Sequence, residues 1–167
     1  MPEKWHGLKD QELRYRKRYI DLISNRDVFD FFITRAKFIT NLRKFLEENK
    51  FLEVETPVLE KVPGGADAKP FITHHNTLDM DMYLRISLEL HLKRLIVGGY
   101  NRVYEIGKVF RNEGISTQHL QEFTSLEFYA AYMDYNELMD FTEKFLQTVI
   151  KQTFSTLKIN YNNKTID

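Results

Sequence analysis

The sequence predicts an α+β fold, an antiparallel sheet flanked by helices, on three observations. Residues 103–112 and 122–132 are rich in aromatic and β-branched side chains, and the residues between them, 113–121, are polar with one glycine; that is the pattern of a long antiparallel hairpin. Residues 27–49 repeat apolar side chains at helical spacing, and residues 136–153 do the same. The chain has 167 residues, 43% of them hydrophobic and 14% aromatic, which is one domain's worth of chain with enough apolar surface for a core.

Composition also excludes several classes of function. Formal net charge is zero, so no global field draws nucleic acid or membrane, and any such contact must come from a local patch. With no cysteine there is no disulfide, thiolate zinc site or cysteine nucleophile, which suits a reducing compartment. The start lacks an apolar signal-peptide run and no later run approaches a membrane span, so the expected location is cytoplasmic.

Residues 1–9, punctuated by Pro2 and Gly7, read as a linker or domain entry, and residues 10–167 as the domain itself. Asp10 is placed to cap a helix over residues 10–23, along which Leu13, Tyr19, Ile20 and Ile23 form a narrow apolar stripe. The basic cluster Arg14, Arg16, Lys17 and Arg18 suits either an RNA backbone or a solvated face partnered by Asp10 and Glu12. In the helix over 27–49, Val28, Phe32, Ala36, Ile39 and Leu46 form one stripe, with Phe31, Phe38, Phe45 and Leu42 beside it. An apolar arc of about half the circumference fits a helix that packs on its own sheet and also meets a second subunit; burial wholly within one domain fits equally.

Residues 57–68 read as a strand end and loop in which Gly64 and Gly65 let the backbone approach a ligand closely. Residues 71–76 and 82–86 read as short strands around a turn at 76–81. His74 and His75 are adjacent and face opposite sides of a strand, a poor spacing for metal ligands, so a structural role is expected. Ser87 starts a helix that Gly98 ends, with Glu89 in the first turn, where a carboxylate gains from the helix dipole. Leu138, Phe141, Phe145 and Val149 of the last helix are expected to cover the sheet, and residues 157–166 to close a final hairpin around Tyr161-Asn162-Asn163-Lys164.

The chemistry gathers in residues 110–129, FRNEGISTQHLQEFTSLEFY. Arg111 and Glu113 share one strand parity, as do Glu127 and Tyr129 on the return strand. A guanidinium among carboxylates, with His119 and Phe123 nearby, suits a phosphorylated ligand carrying an amine and a flat ring; a solvated hairpin with surface ion pairs would show the same residues.

FRNEGIS followed by His119 and then EFTSLEFYAAYMDYNELM resembles the second signature motif of class II aminoacyl-tRNA synthetases, most closely that of the lysyl-tRNA synthetases. Residues 14–139 resemble that family almost without a gap, through RYRKRYIDLI, FLEVETPVL, PGGADAKPFITHHNTLDMDMYLRISLELHLKRLIVGG and RVYEIGKVFRNEGIS. The resemblance implies a class II catalytic core joining lysine to ATP and passing the lysyl group to a lysine-specific tRNA. By resemblance the catalytic Arg111 bridges the lysine carboxylate and the α-phosphate. Glu113 accepts from the adenine amine, Phe123 stacks on adenine, His119 approaches the distal phosphates, and Asn112 and Leu120 complete the ATP set. Gly65 and Glu89 take the lysine α-ammonium, and Glu127 and Tyr129 line the lysine site. Phe31, Phe38, Phe45 and Pro57 fall in a homodimer interface.

Measured against the family, the chain reads as the front part of a catalytic domain, incomplete at the C-terminal end. It carries no third signature motif, no carboxylates for the expected magnesium ions and no acidic partner for the lysine ε-ammonium. An anticodon-binding barrel would precede residues 1–9, and the chain alone is expected to be inactive or weakly active. A synthetase-like ligase that attaches lysine to a protein, or a non-catalytic dimerisation or regulatory module, would share these motifs. One departure falls in the site: Leu120-Gln121 stand where the family has Asn-Pro, which replaces an amide with an apolar side chain and removes the rigid turn of proline.

Overall fold

The computed structural model describes residues 8–166. All but the last two residues of the linker expected over 1–9 lie outside the described residues. In chain order the elements are α1 (Gln11–Arg16), α2 (Arg18–Ser24), α3 (Arg26–Glu48), β1 (Leu52–Glu53), β2 (Leu59–Glu60), β3 (Ile72–His75), β4 (Met80–Leu84), α4 (Glu89–Val97), β5 (Arg102–Phe110), β6 (Glu122–Ala130), α5 (Tyr135–Phe154), β7 (Ile159–Tyr161) and β8 (Lys164–Ile166). They fall into two compact units. One is Leu46–Asp140, and the other is made of the described parts of Met1–Phe45 and Phe141–Asp167.

In the discontinuous unit, Asp10 caps α1 as expected, accepting from the Leu13 N–H at 2.7 Å. The single helix expected over 10–23 is instead two, broken at Lys17 (φ −120°, ψ 53°). The cause is Asp21, which is fully buried. Arg14 lies seven residues before it, about 10 Å away along an unbroken helix. The break brings its Nε to 2.9 Å from Asp21 Oδ1, while Arg18 and the Asn25 amide grip the same carboxylate. Burial pushes the Asp21 carboxyl up, but hydrogen bonds from Asn25 and Arg14 and the charges of Arg14 and Arg18 outweigh it and hold it below the usual carboxylate value. The expected apolar stripe is not a packing face, since Leu13, Tyr19 and Ile23 are exposed. Three of the four basic residues are partnered within the chain, Arg14 and Arg18 by Asp21 and Arg16 by Glu12 at 2.7 Å.

Helix α3 is buried only towards its C-terminal end, at Leu42, Phe45 and Leu46, whereas Phe31, Phe32 and Ile33 stay exposed. Phe45, expected at a subunit interface, is 3% exposed and finds its partners in its own chain, with ring centroids 5.4 Å from Phe141 and 5.2 Å from Phe145 of α5. Phe145 and Val149 are buried, but Leu138 remains exposed. Hairpin β7–β8 turns on Asn162 and Asn163 at φ 50° and 59°, the left-handed pair that a two-residue hairpin loop requires.

The second unit is built on the long hairpin. Strands β5 and β6 pair antiparallel from Arg102↔Ala130 to Phe110↔Glu122. Strand β1 joins β5 in parallel, so this sheet is mixed rather than wholly antiparallel, in the order β1-β5-β6. A second sheet, β2-β4-β3, is antiparallel. In it His74 sits 3.3 Å from Asp79 and 3.2 Å from Asp81, and His75 Nδ1 accepts from the Leu78 N–H, so both histidines brace the β3–β4 turn. Leu88 and Leu92 pack with Val103 and Val109 as a buried core that Val54, Leu95, Ile96, Phe123 and Tyr129 flank. Burying each such side chain contributes about 1.5–3 kcal/mol, which seats α4 on the hairpin that carries the conspicuous polar groups.

Candidate active site

Between β4 and α4, residues 85–88 run as a seam against the hairpin. Arg85 O accepts from the Phe110 N–H at 2.9 Å, and Ile86 O from Arg111 Nε at 3.3 Å. The seam is anchored by the buried side chain of Arg85, whose Nη1 donates to Glu105 Oε1 at 2.7 Å and to Thr56 O and Oγ1 at 3.0 and 3.1 Å. Its Nε donates to Lys108 O at 2.8 Å, and Thr56 Oγ1 donates to Glu105 Oε2 at 2.6 Å. Gly107 is required here for room rather than for its φ, because a Cβ would stand 2.3 Å from Arg85 Nη2.

On one side of Arg111 the hairpin loop encloses a cavity of about 260 Å³, lined by Arg111, Glu113, Gly114, His119, Leu120 and Phe123 together with Gln118 and Gln121. The Arg111 guanidinium lies over the Phe123 ring, 5.3 Å from its centroid, so the cavity offers a cation and an aromatic face side by side. Arg111 and Glu113 both lie beyond the end of β5 at Phe110, which corrects the expectation that they share a strand parity; the Lys69 N–H reaches Glu113 Oε1 at 3.4 Å. Asn112 points its backbone at Lys69 O, 2.7 Å away, and is not among the residues lining the cavity. His119 is fixed by Ser116, with Oγ and Nδ1 in a 2.8 Å hydrogen bond. Gln121 ties the two ends of the loop together: its carbonyl accepts from the Arg111 N–H at 2.8 Å and its amide donates to Glu113 O at 3.1 Å. Leu120 keeps its side chain exposed at the cavity.

On the other side, Gly65, Glu89, Glu127 and Tyr129 converge. Glu127 Oε1 accepts from Ser87 Oγ and from the Leu88 N–H, each at 3.1 Å, and Oε2 accepts from Tyr129 OH at 2.9 Å. Burial, that hydrogen bond, and the negative charges of Glu127 and Glu89 push the Tyr129 phenol well above its ordinary range, so it stays a donor. Gly65 has φ +84°, and a Cβ on it would come within 3.0 Å of Ser87 Oγ and 3.1 Å of Glu89 Cβ, so its backbone lies directly against α4. Glu89 Oε1 is held by Lys93 Nζ at 2.6 Å. Glu127 and Tyr129 also border a hollow of about 430 Å³ along β6.

Of the residues singled out from the sequence, the structure therefore groups Arg111, Glu113, His119, Leu120 and Phe123 around one cavity, and Gly65, Glu89, Glu127 and Tyr129 around the start of α4. Ser87 and the Arg85–Glu105 pair were not anticipated. The local signal for Ser87 was its place two residues before Glu89 at a helix start, and for Glu105 a charge among the apolar residues of β5. Pro57 and Phe31 are exposed and Phe38 is half-buried.

A family model described as tRNA synthetases class II (D, K and N) matches residues 10–166. A lysine-tRNA ligase of Clostridium botulinum is 59% identical over 167 residues, which cover 100% of this chain and 33% of that protein. Lysine-tRNA ligases of Legionella pneumophila and Clostridium kluyveri are each 58% identical over 100% of this chain, covering 34% and 33% of their own lengths. The chain spans about a third of the length of the curated relatives it matches.

Proposed function

The chain belongs to the class II tRNA synthetases (D, K and N), and from that premise we propose that it supplies the front part of the catalytic domain of a lysine-tRNA ligase and, with it, part of the site at which the full-length enzyme binds lysine and ATP and joins them. In this reaction a lysine carboxylate oxygen attacks the α-phosphorus of ATP, the bond to the β-phosphate oxygen breaks, and pyrophosphate leaves with its electron pair. A ribose hydroxyl of tRNA then attacks the lysyl carbonyl carbon of the adenylate and gives up its proton, the acyl–phosphate bond breaks, and AMP leaves with the electron pair. No covalent enzyme intermediate is needed, so the protein contributes positioning and charge neutralisation.

The observation that carries this reading is the place of Arg111. Its guanidinium covers Phe123 in the loop cavity, and its Nε touches Ile86 O, one residue from the Ser87–Glu127–Glu89 cluster. A fork donor there spans an adenine and phosphate cavity on one side and an amino-acid pocket on the other, as in-line attack of carboxylate on phosphate demands. Phe123 stacks on adenine, Glu113 takes its amine, Leu120 offers a backbone contact to the nucleotide, and His119 meets the distal phosphates. Gly65 and Glu89 receive the α-ammonium after Lys93 is displaced, and Glu127 and Tyr129 line the pocket. Magnesium would accompany ATP in the full-length enzyme; among the described residues no group of three or more His, Cys, Asp and Glu gathers to hold a metal ion.

Exposed Phe31, Phe32 and Ile33 on α3 support a homodimer as the working form. Among the described residues no helix is long and apolar enough to cross a membrane. The test is lysine-dependent exchange of labelled pyrophosphate into ATP, with calorimetric binding of each substrate, by the full-length protein and by this chain. Exchange that leucine or ornithine supports as well as lysine, or nucleotide binding indifferent to Arg111, would overturn the reading.

A further inference from the structure

We propose that Ser87 is a positioning residue for the amino-acid pocket, one hydroxyl that fixes Glu127, the first turn of α4 and the Gly65 loop relative to one another. The proposal rests on the reading of this pocket given above and adds a residue to it. Ser87 is 7% exposed. Its Oγ accepts from the Glu89 N–H at 3.1 Å and donates to Glu127 Oε1 at 3.1 Å, while the backbone of Gly65 packs against it. A serine that merely capped a helix would only accept, and its proton would face solvent. Here the proton is spent on a carboxylate forty residues further along the chain, on another element.

The effect on Glu127 is a matter of counting lone pairs. A carboxylate has about two acceptor directions on each oxygen. Oε1 uses both, on Ser87 and on the Leu88 N–H; Oε2 uses one, on Tyr129. Among the described residues that leaves one direction on Oε2 for an incoming ammonium donor, held at a fixed angle. Without the Ser87 hydroxyl, Oε1 regains a free direction, the carboxylate is free to turn about its last torsion, and the Glu89 turn loses its link to β6. The pocket would then present several weak acceptor geometries in place of one.

The test is steady-state pyrophosphate exchange by the full-length protein as wild type, Ser87→Ala and Ser87→Cys, with lysine and ATP varied separately. Cysteine fills the space of the hydroxyl with a somewhat larger sulfur and supplies only a poor donor, so, set against alanine, it separates hydrogen bonding from the loss of packing. The expected result is a rise of roughly 5- to 20-fold in KM for lysine in both variants, less than the full loss of a hydrogen bond to a charged group because the bond lost is to Glu127 and not to lysine itself. KM for ATP and kcat should stay within about twofold. A lysine KM unchanged in Ser87→Ala, a Ser87→Cys variant closer to wild type than to alanine, or KM values for lysine and ATP that rise together would each overturn the proposal. Should the alanine variant fail to fold, the cysteine variant decides alone. A wild type whose exchange is independent of lysine overturns the pocket reading and this proposal with it, whereas lysine-dependent exchange untouched by both variants overturns this proposal only.

Discussion

Arg85 Nη1 and Glu105 Oε1 stand 2.7 Å apart with both side chains 4% exposed, twenty residues apart in sequence, and the pair pins the seam on which the site is built. Desolvating two charges is costly, and it is repaid here because Thr56 and Lys108 O satisfy further donors and acceptors of the pair. Arg85→Ala leaves a buried carboxylate without its counter-charge and should destabilise the chain by about 3–5 kcal/mol. Replacing both residues, as in R85M/E105L, should cost much less. Gly107→Ala should cost about 1–3 kcal/mol in the wild type and little in that double variant, because the guanidinium it would strike is gone. Urea denaturation of the four variants checks this; additive losses would show that the pair and Gly107 do not share one packing constraint.

Arg111→Ala should weaken ATP binding at least about tenfold, and Arg111→Lys should recover little, since a point charge cannot reproduce the planar fork or lie flat over Phe123. Calorimetry with ATP and each variant measures it. Equal affinities in all three proteins would remove Arg111 from the nucleotide site.

Tyr129 should remain a phenol after the exposed tyrosines have ionised. Its pKa is raised on folding, so its contribution to stability is fully present below the ordinary value near 10.0 and is lost as pH rises through the higher folded value. Wild type and Tyr129→Phe should therefore show the same tyrosinate absorbance change up to about pH 11, short of alkaline unfolding. A smaller amplitude in Tyr129→Phe would mean that Tyr129 titrates with the rest.

Asp21 behaves in the opposite sense. Its carboxyl is held below the unfolded value of 3.8, so its stabilisation is fully present above 3.8 and is lost as pH falls through the lower folded value. Amide exchange in α1 and α2 should accelerate as pH falls below 3.8, after correction for the intrinsic rate, and Asp21→Asn should show weak protection at every pH. Protection in wild type that does not respond to acid would place the clamp elsewhere.

What is local was legible along the chain. Asp10 caps a helix through a bond only three residues long, Asn162 and Asn163 enter the left-handed region where a two-residue turn needs them, and the apolar runs of β5 and β6 announce a hairpin whose loop lies between them. The signature run over 110–129 also marked the residues that surround the loop cavity. Periodicity and capping act within a few residues, so their signals survive in one dimension.

Tertiary structure alone decided which partner each polar group took. The break at Lys17 exists because a buried Asp21 gathers Arg14, Arg18 and Asn25, and no propensity at Lys17 foretells it. The parallel pairing of β1 with β5, the choice of Phe141 and Phe145 as partners for Phe45, and the Ser87–Glu127 bond all join segments far apart in the chain. A pattern along the sequence tells which face of an element is apolar. The partner of a buried charge or hydroxyl is set by the cost of leaving it unpaired once neighbouring elements have closed over it, and that cost arises only in the folded chain.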